Sequence, residues 1–125
     1  MRAVLMTAVG GPEVLEPTEL AEPEIVSEHD VRVRLLAAGV NPVDYKLRSS
    51  GTIGGSLPAV LGWDGAGVVE SVGPAVSRVQ VGDEVYFCDG GFGPTPGTYV
   101  ELKVLDERYL AHKPKRLSFV EAAAA

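Results

Sequence analysis

The sequence predicts a mainly β domain, a partly open barrel with one or two short helices. Three observations carry this. Short runs of alternating apolar and polar residues recur along the 125 residues. Fifteen glycines and nine prolines fall mostly between those runs. Only two segments carry helix-start signatures. Short strands punctuated by Gly/Pro turns bury their apolar faces by closing as a sandwich or a partly open barrel.

In chain order, R-A-V-L-M-T-A (2–8) is a β-rich run ended by the turn Gly10-Gly11-Pro12. V-R-V-R-L-L-A-A-G (31–39) alternates, with Val31, Val33 and Leu35 on one face and Arg32 and Arg34 on the other. A-G-V-V-E-S-V-G (66–73) and D-E-V-Y-F-C-D-G-G (83–91) are further strands, each closed by glycine. T-Y-V-E-L-K-V (98–104) sets Thr98, Val100, Leu102 and Val104 against Tyr99, Glu101 and Lys103. The first helix runs from Pro42 to about Ser50. Asn41 suits its N-cap, Pro42 its first position, and Gly51 a left-handed stop. The second starts at Ser118, where Ser118 and Glu121 form a capping box. The sequence stops four residues later, and a helix of about seven residues does not hold alone. The expected division is 1–117 as the barrel and 118–125 as the start of a helix leading onward.

Seventeen acidic residues against eleven basic ones give a net charge of −6. That balance opposes nucleic-acid binding, which rests on neutralising phosphates. The cluster His112, Lys113, Lys115, Arg116 is short and proline-bound, and reads as a solvated loop. No apolar run approaches the roughly 20 residues of a membrane span, and the N-terminus reads as a strand, not a leader. A single cysteine, Cys88, excludes an internal disulfide and a Cys-rich zinc module. A cytoplasmic protein is expected.

No dinucleotide fingerprint is present. Such a turn needs a helix after it, so that backbone N–H groups face the pyrophosphate. Gly65-x-Gly67 is followed by Val68, Val69 and Glu70, which continue as a strand, and G-G-F-G-P-T-P-G (90–97) has Pro96 where a third glycine would stand. Both read as turns or close strand packing. The ligand types zinc prefers are sparse: Cys88, His29 and His112 show no paired spacing, and Cys88 on a strand is expected buried.

The segments A-A-G-V-N-P-V-D-Y-K-L-R-S-S-G, L-P-A-V-L-G-W-D-G-A-G-V-V-E-S-V-G…V-G-D-E-V-Y-F, G-T-Y-V-E-L-K-V and A-H-K-P-K-R-L-S-F-V-E-A-A-A follow one another in a known order. Across essentially the whole chain they resemble the N-terminal, GroES-like catalytic domain of medium-chain dehydrogenases/reductases. More narrowly they resemble its zinc-independent, quinone oxidoreductase-like branch. Where the zinc branch has a ligand cysteine this chain has Asn41, and where it has a ligand histidine this chain has Trp63. An indole offers only a donor and cannot ligate zinc.

The resemblance implies hydride transfer from NADPH to a quinone or an α,β-unsaturated carbonyl, without zinc. A second, nucleotide-binding domain would hold most of the cofactor, and these 125 residues alone would be inactive. Asn41 and Lys46 would meet the cofactor or the substrate oxygen, with Tyr45 as a further donor. Asp44, Trp63 and Asp64 would stand behind them, and an Asp44–Trp63 hydrogen bond, direct or through water, is expected. The partners implied are a small-molecule carbonyl or quinone and, for the whole enzyme, a second copy in a homodimer or homotetramer. These residues alone would be monomeric. A zinc-type alcohol dehydrogenase and a non-enzymatic barrel module stay open as alternatives.

Overall fold

The computed structural model describes residues 1–51, 56–90 and 95–125. Seven strands and two helices follow in order: β1 Arg2–Met6, β2 Leu15–Glu19, β3 Asp30–Ala38, α1 Pro42–Ser50, β4 Asp64–Val72, β5 Glu84–Cys88, β6 Leu102–Asp106, β7 Ala111–His112 and α2 Phe119–Ala124. Single 3-10 turns lie at Pro12–Val14 and Glu107–Tyr109. The strands make an antiparallel five-stranded sheet, β6-β3-β4-β5-β7, and a β1-β2 pair. Bridges from Ala3 to Val100 and from Met6 to Ala59 tie the pair to the rest. This is the expected mainly β, partly open barrel. The sequence reading passed over β2, because L-E-P-T-E shows neither alternation nor β-branched density, and Pro17 is confined to such an edge position.

The core is built where the alternation puts it. Val31 and Val33 of β3 are fully buried, as are Val69 of β4 and Val85 of β5, with Phe87, Leu105 and Leu110 packed on them. Each is worth about 1.5–3 kcal/mol of burial. On the opposite face Glu70 takes Arg32 at 2.9 Å and also pairs with Arg34.

Strand β6 corrects the predicted alternation. It begins at Leu102, four residues after Thr98, and Lys103 is buried. Lys103 lies opposite Val33 and Leu105 opposite Val31, and cross-strand partners share a face. The lysine stem therefore lies on the Val33 side, and its ammonium meets Pro96 O at 2.6 Å and the Asp89 carboxylate at 3.4 Å. Long cationic side chains bury their methylenes and bring the head to a partner. Burial pushes the Lys103 pKa down, with Asp89 opposing the shift. Lys113 departs from the solvated-loop reading for the same reason. It is buried, donates to Leu117 O at 2.6 Å, pairs with Glu84 at 3.1 Å and lies over the Phe119 ring.

Both helices start as expected. Ser118 and Glu121 exchange their capping bonds at 3.1 and 2.8 Å. Ala122 and Ala123 bury against Ala66 of β4, which supplies the tertiary contact so short a helix needs. The end of α1 differs from expectation: Gly51 has φ 100° and ψ 156°, a positive φ outside the left-handed helical region.

Glu107, at the turn after β6, joins three segments. Its carboxylate accepts from the Ser77 and Arg78 N–H groups at 3.0 and 2.9 Å and meets His29 Nδ1 at 2.8 Å. The His29 bond, then the two backbone donors, lower its pKa from the ordinary 4.5 to about 2. His29 is raised in turn, chiefly by the same bond. The carboxylate's contribution to stability is therefore present above about pH 4.5 and drains away as pH falls towards 2. The imidazole's is present below 6.5 and is lost as pH rises through its raised value. Thermal melts of Glu107→Gln against pH should lose stability most between about 4.5 and 6.5 and show a flatter acid limb than wild type. Parallel curves for the two proteins would refute this account.

Candidate functional site

The candidate site forms where the start of α1 meets the start of β4 and the end of β5. Asn41 is extended, with φ −122° and ψ 160°, and Pro42 carries the chain into the helix. Asn41 and Asp44 form a capping box across the first turn. Asn41 N–H donates to Asp44 Oδ2 at 2.8 Å, while Asp44 N–H reaches the Asn41 carbonyl at 2.9 Å.

Asp44 is itself buried. Its second oxygen accepts from Gly62 N–H at 3.0 Å, pinning the residue before Trp63 to the helix. Tyr99 feels the same carboxylate: burial first, then the Asp44 charge, push its pKa up. The direct Asp44–Trp63 hydrogen bond expected from the sequence is not formed. The Asp44 oxygens go to the adjacent backbone, because a carboxylate at the first turn of a helix is drawn to free N–H groups. Trp63 sits half-buried beside this junction, with Gly90 so close that a Cβ there would fall 2.3 Å from the indole. Asp89 N–H donates to the Trp63 carbonyl at 2.9 Å.

The Asn41 side chain turns towards β4. Its Nδ2 donates to Asp64 Oδ2 at 2.5 Å. The register places Cys88 of β5 directly opposite Asp64. Cys88 is exposed, against the expectation of a buried thiol, since alternation with the buried Val85 and Phe87 puts it on the outward face with Glu84 and Tyr86. Partial desolvation, then the hydrogen bond to Asp64, raise its thiol pKa. Gly39 N–H donates to Asp64 O at 2.9 Å, which closes the corner between β3 and β4.

Tyr45 and Lys46 stand apart from this cluster. Asp44 and Leu47 face inward from α1, whereas Tyr45 and Lys46 are exposed, about 100° apart around the helix axis. The Lys46 ammonium makes no ion pair among the described residues. The structure thus joins Asn41, Asp44 and Asp64 and leaves Tyr45 and Lys46 on an open face. Gly62 and Tyr99, the tertiary partners of Asp44, were missed by sequence reasoning, because no local signal marks a residue that meets another 18 or 55 positions away.

As chemistry, the cluster offers carboxylate and amide groups at one edge and an unpaired ammonium on the helix face. Among the described residues no group of three or more His, Cys, Asp or Glu side chains converges to hold a metal ion. Of the two glycine-rich segments, Gly65-x-Gly67 lies within β4 and leads into no helix. Residues 91–94 of the other lie outside the described residues.

The alcohol dehydrogenase GroES-like domain family matches residues 27–115. A quinone oxidoreductase of Pseudomonas aeruginosa is 42% identical over 123 residues, 98% of this chain and 36% of that protein. A 2-methylene-furan-3-one reductase of Solanum lycopersicum is 40% identical over 134 residues, 99% of this chain and 34% of that protein. The chain thus spans about a third of the length of the curated relatives it matches. Among solved structures, an NAD-dependent alcohol dehydrogenase superposes with a TM-score of 0.92 at 43% identity, over 100% of this chain and 43% of that one. The quinone oxidoreductase of Escherichia coli complexed with NADPH does so with 0.87 at 31% identity, over 100% and 37%. With the fold and these matches in agreement, the chain belongs to the alcohol dehydrogenase GroES-like domain family, on its quinone oxidoreductase-like side.

Proposed function

We propose that this chain is the substrate-side part of an NADPH-dependent oxidoreductase that reduces quinones or α,β-unsaturated carbonyls without zinc. The observation that carries the reading is the Asn41–Asp64 pair beside Trp63; by the resemblance, this amide and indole stand where zinc enzymes of the family place ligands. The names of the relatives support the substrate class. The donor set fits a nicotinamide cofactor in part: amide and carboxylate oxygens suit ribose and carboxamide donors. No glycine-rich turn leading into a helix is present among the described residues to hold a pyrophosphate, so a second domain would take it. When bound, the nicotinamide supplies the hydride. Asn41 then positions, and Lys46, unpaired and exposed, brings positive charge to the oxygen that becomes an enolate or hydroquinone anion. Tyr45 is the lesser donor. The whole enzyme would act in the cytoplasm on small molecules, as a homodimer or homotetramer. No helix among the described residues is long and apolar enough to cross a membrane.

The test is to express the whole reading frame that contains this chain and assay NADPH oxidation against a panel of quinones and enones. Activity in metal-depleted enzyme is expected, and Lys46→Met should lower kcat by about 10²-fold, with Tyr45→Phe costing less. No turnover across the panel would reject the reading. Stoichiometric zinc, with activity lost on its removal, would favour the alcohol dehydrogenase alternative, to which the 43%-identical neighbour gives some weight.

A further inference from the structure

We propose that Asp64 is a positioning residue that fixes the Asn41 carboxamide, so that Asn41 meets a bound cofactor as an acceptor and does not polarise the substrate oxygen. This rests on the oxidoreductase reading for its functional half; the structural half stands without it.

The argument starts from what each group can do. An ionised carboxylate accepts hydrogen bonds and cannot donate them, so the atom of Asn41 that faces Asp64 at 2.5 Å has to be the nitrogen. That removes the two-fold ambiguity of an amide and fixes Oδ1 on the other side. The bond is charge-assisted, the stronger kind. Asp64 is itself held: its carbonyl takes the Gly39 N–H at 2.9 Å, its strand pairs with β5 at Cys88, and no room for a Cβ exists at Gly39 beside it. Asn41 is held at its other end by the capping box, through its own N–H and carbonyl. The carboxamide is thus clamped between the helix start and the sheet.

Two consequences follow for chemistry. The second N–H of Asn41 sits on a nitrogen already against a negative charge. An oxyanion drawn to it would approach Asp64 as well, and like charges repel. This edge is therefore unfavourable for an enolate. Oδ1 keeps acceptor capacity beyond its share in the capping box, with a fixed direction, and the Asp64 oxygens keep further acceptor capacity as well. The pair suits ligand groups that donate: a ribose hydroxyl or a nicotinamide carboxamide N–H. Polarisation of the substrate oxygen then falls to a cation elsewhere, and Lys46 is the exposed one on the same helix.

The test has two arms. In ¹⁵N-labelled chain, the Asn41 side-chain NH₂ pair is identified by its loss in Asn41→Ala. One proton of that pair should be shifted downfield and slow to exchange, and both signatures should collapse in Asp64→Ala; Asp64→Asn, closer in shape, covers the case in which the alanine variant misfolds and should weaken them. A pair unchanged in both Asp64 variants overturns the proposal. In the whole enzyme, Asp64→Ala should raise the KM for NADPH about tenfold and lower kcat by less, with Asp64→Glu recovering part of the loss. A fall in kcat at unchanged KM would overturn the acceptor assignment. Absence of any turnover speaks against the proposed function, while the amide spectrum still decides the Asp64–Asn41 clamp.

Discussion

Asp44→Ala is expected to cost about 3–5 kcal/mol of folding stability, with a fall in melting temperature on the order of 15 °C. Asp44 is 3% exposed and accepts from Asn41 N–H at 2.8 Å and Gly62 N–H at 3.0 Å. Truncation leaves the buried Gly62 N–H and the part-buried Asn41 N–H without that acceptor, and an orphaned buried donor costs about 1–3 kcal/mol. The penalty also falls on two elements at once, since the same carboxylate starts α1 and holds the approach to β4. Asp44→Asn should cost less, because one carbonyl oxygen remains, but its NH₂ would be turned towards an N–H. Urea denaturation of the three proteins measures the order directly. An alanine variant within about 1 kcal/mol of wild type would show that the two backbone donors find other partners.

The second large effect is Gly67→Ala, expected to cost at least about 3 kcal/mol or to prevent folding. A Cβ at Gly67 would fall 2.0 Å from the Arg34 carbonyl oxygen and 2.8 Å from its carbon, both backbone atoms of β3. Gly67 pairs with Leu35, next to an irregularity in the β3–β4 register, so the strands cannot separate there without breaking their ladder. Gly82→Ala is the control. Gly82 has φ 94° but open space around it, so its cost is conformational only, about 1–2 kcal/mol. Chemical denaturation of both variants should rank Gly67→Ala well above Gly82→Ala. The reverse order would mean that the tight approach of β3 to β4 is relieved by some small shift.

Gly67 also shows how far the sequence could be read. Its place in a glycine-rich segment that continues as a strand was enough to dismiss phosphate binding and suggest close strand packing. Which backbone atom it approaches depends on register, and register is not written locally. The same holds for Lys103. Alternation put it outward, yet its pairing with Val33 turns it inward, where Asp89 and Pro96, both outside the local pattern, make burial tolerable. Elements with local causes were legible: the valines of β3, the Asn41-Pro42 start of α1 and the Ser118–Glu121 box all rest on neighbours within a few residues. At the site, Asn41 and Asp44 were legible as a cap for that reason. Asp64, named from the resemblance, opens β4, whereas Gly62 and Tyr99 lie in the segments leading into β4 and β6, and no periodicity announces those two. The direct form of the expected Asp44–Trp63 bond is absent by one step of geometry: Asp44 reaches the backbone of the residue before Trp63, not the indole.

The corner at Gly39 has a consequence in mechanical terms. A Cβ there would lie 2.6 Å from the carbonyl oxygen of Ala123, so the end of β3 and the helix α2 touch backbone to backbone. Two residues further along stands Asn41, and the Gly39 N–H holds Asp64. Force applied to α2 would bear on the corner that aims the Asn41 amide with no compliant side chain between them to absorb it. Helix and amide form one stiff linkage, in which the residue at the pivot is the one that has no side chain at all.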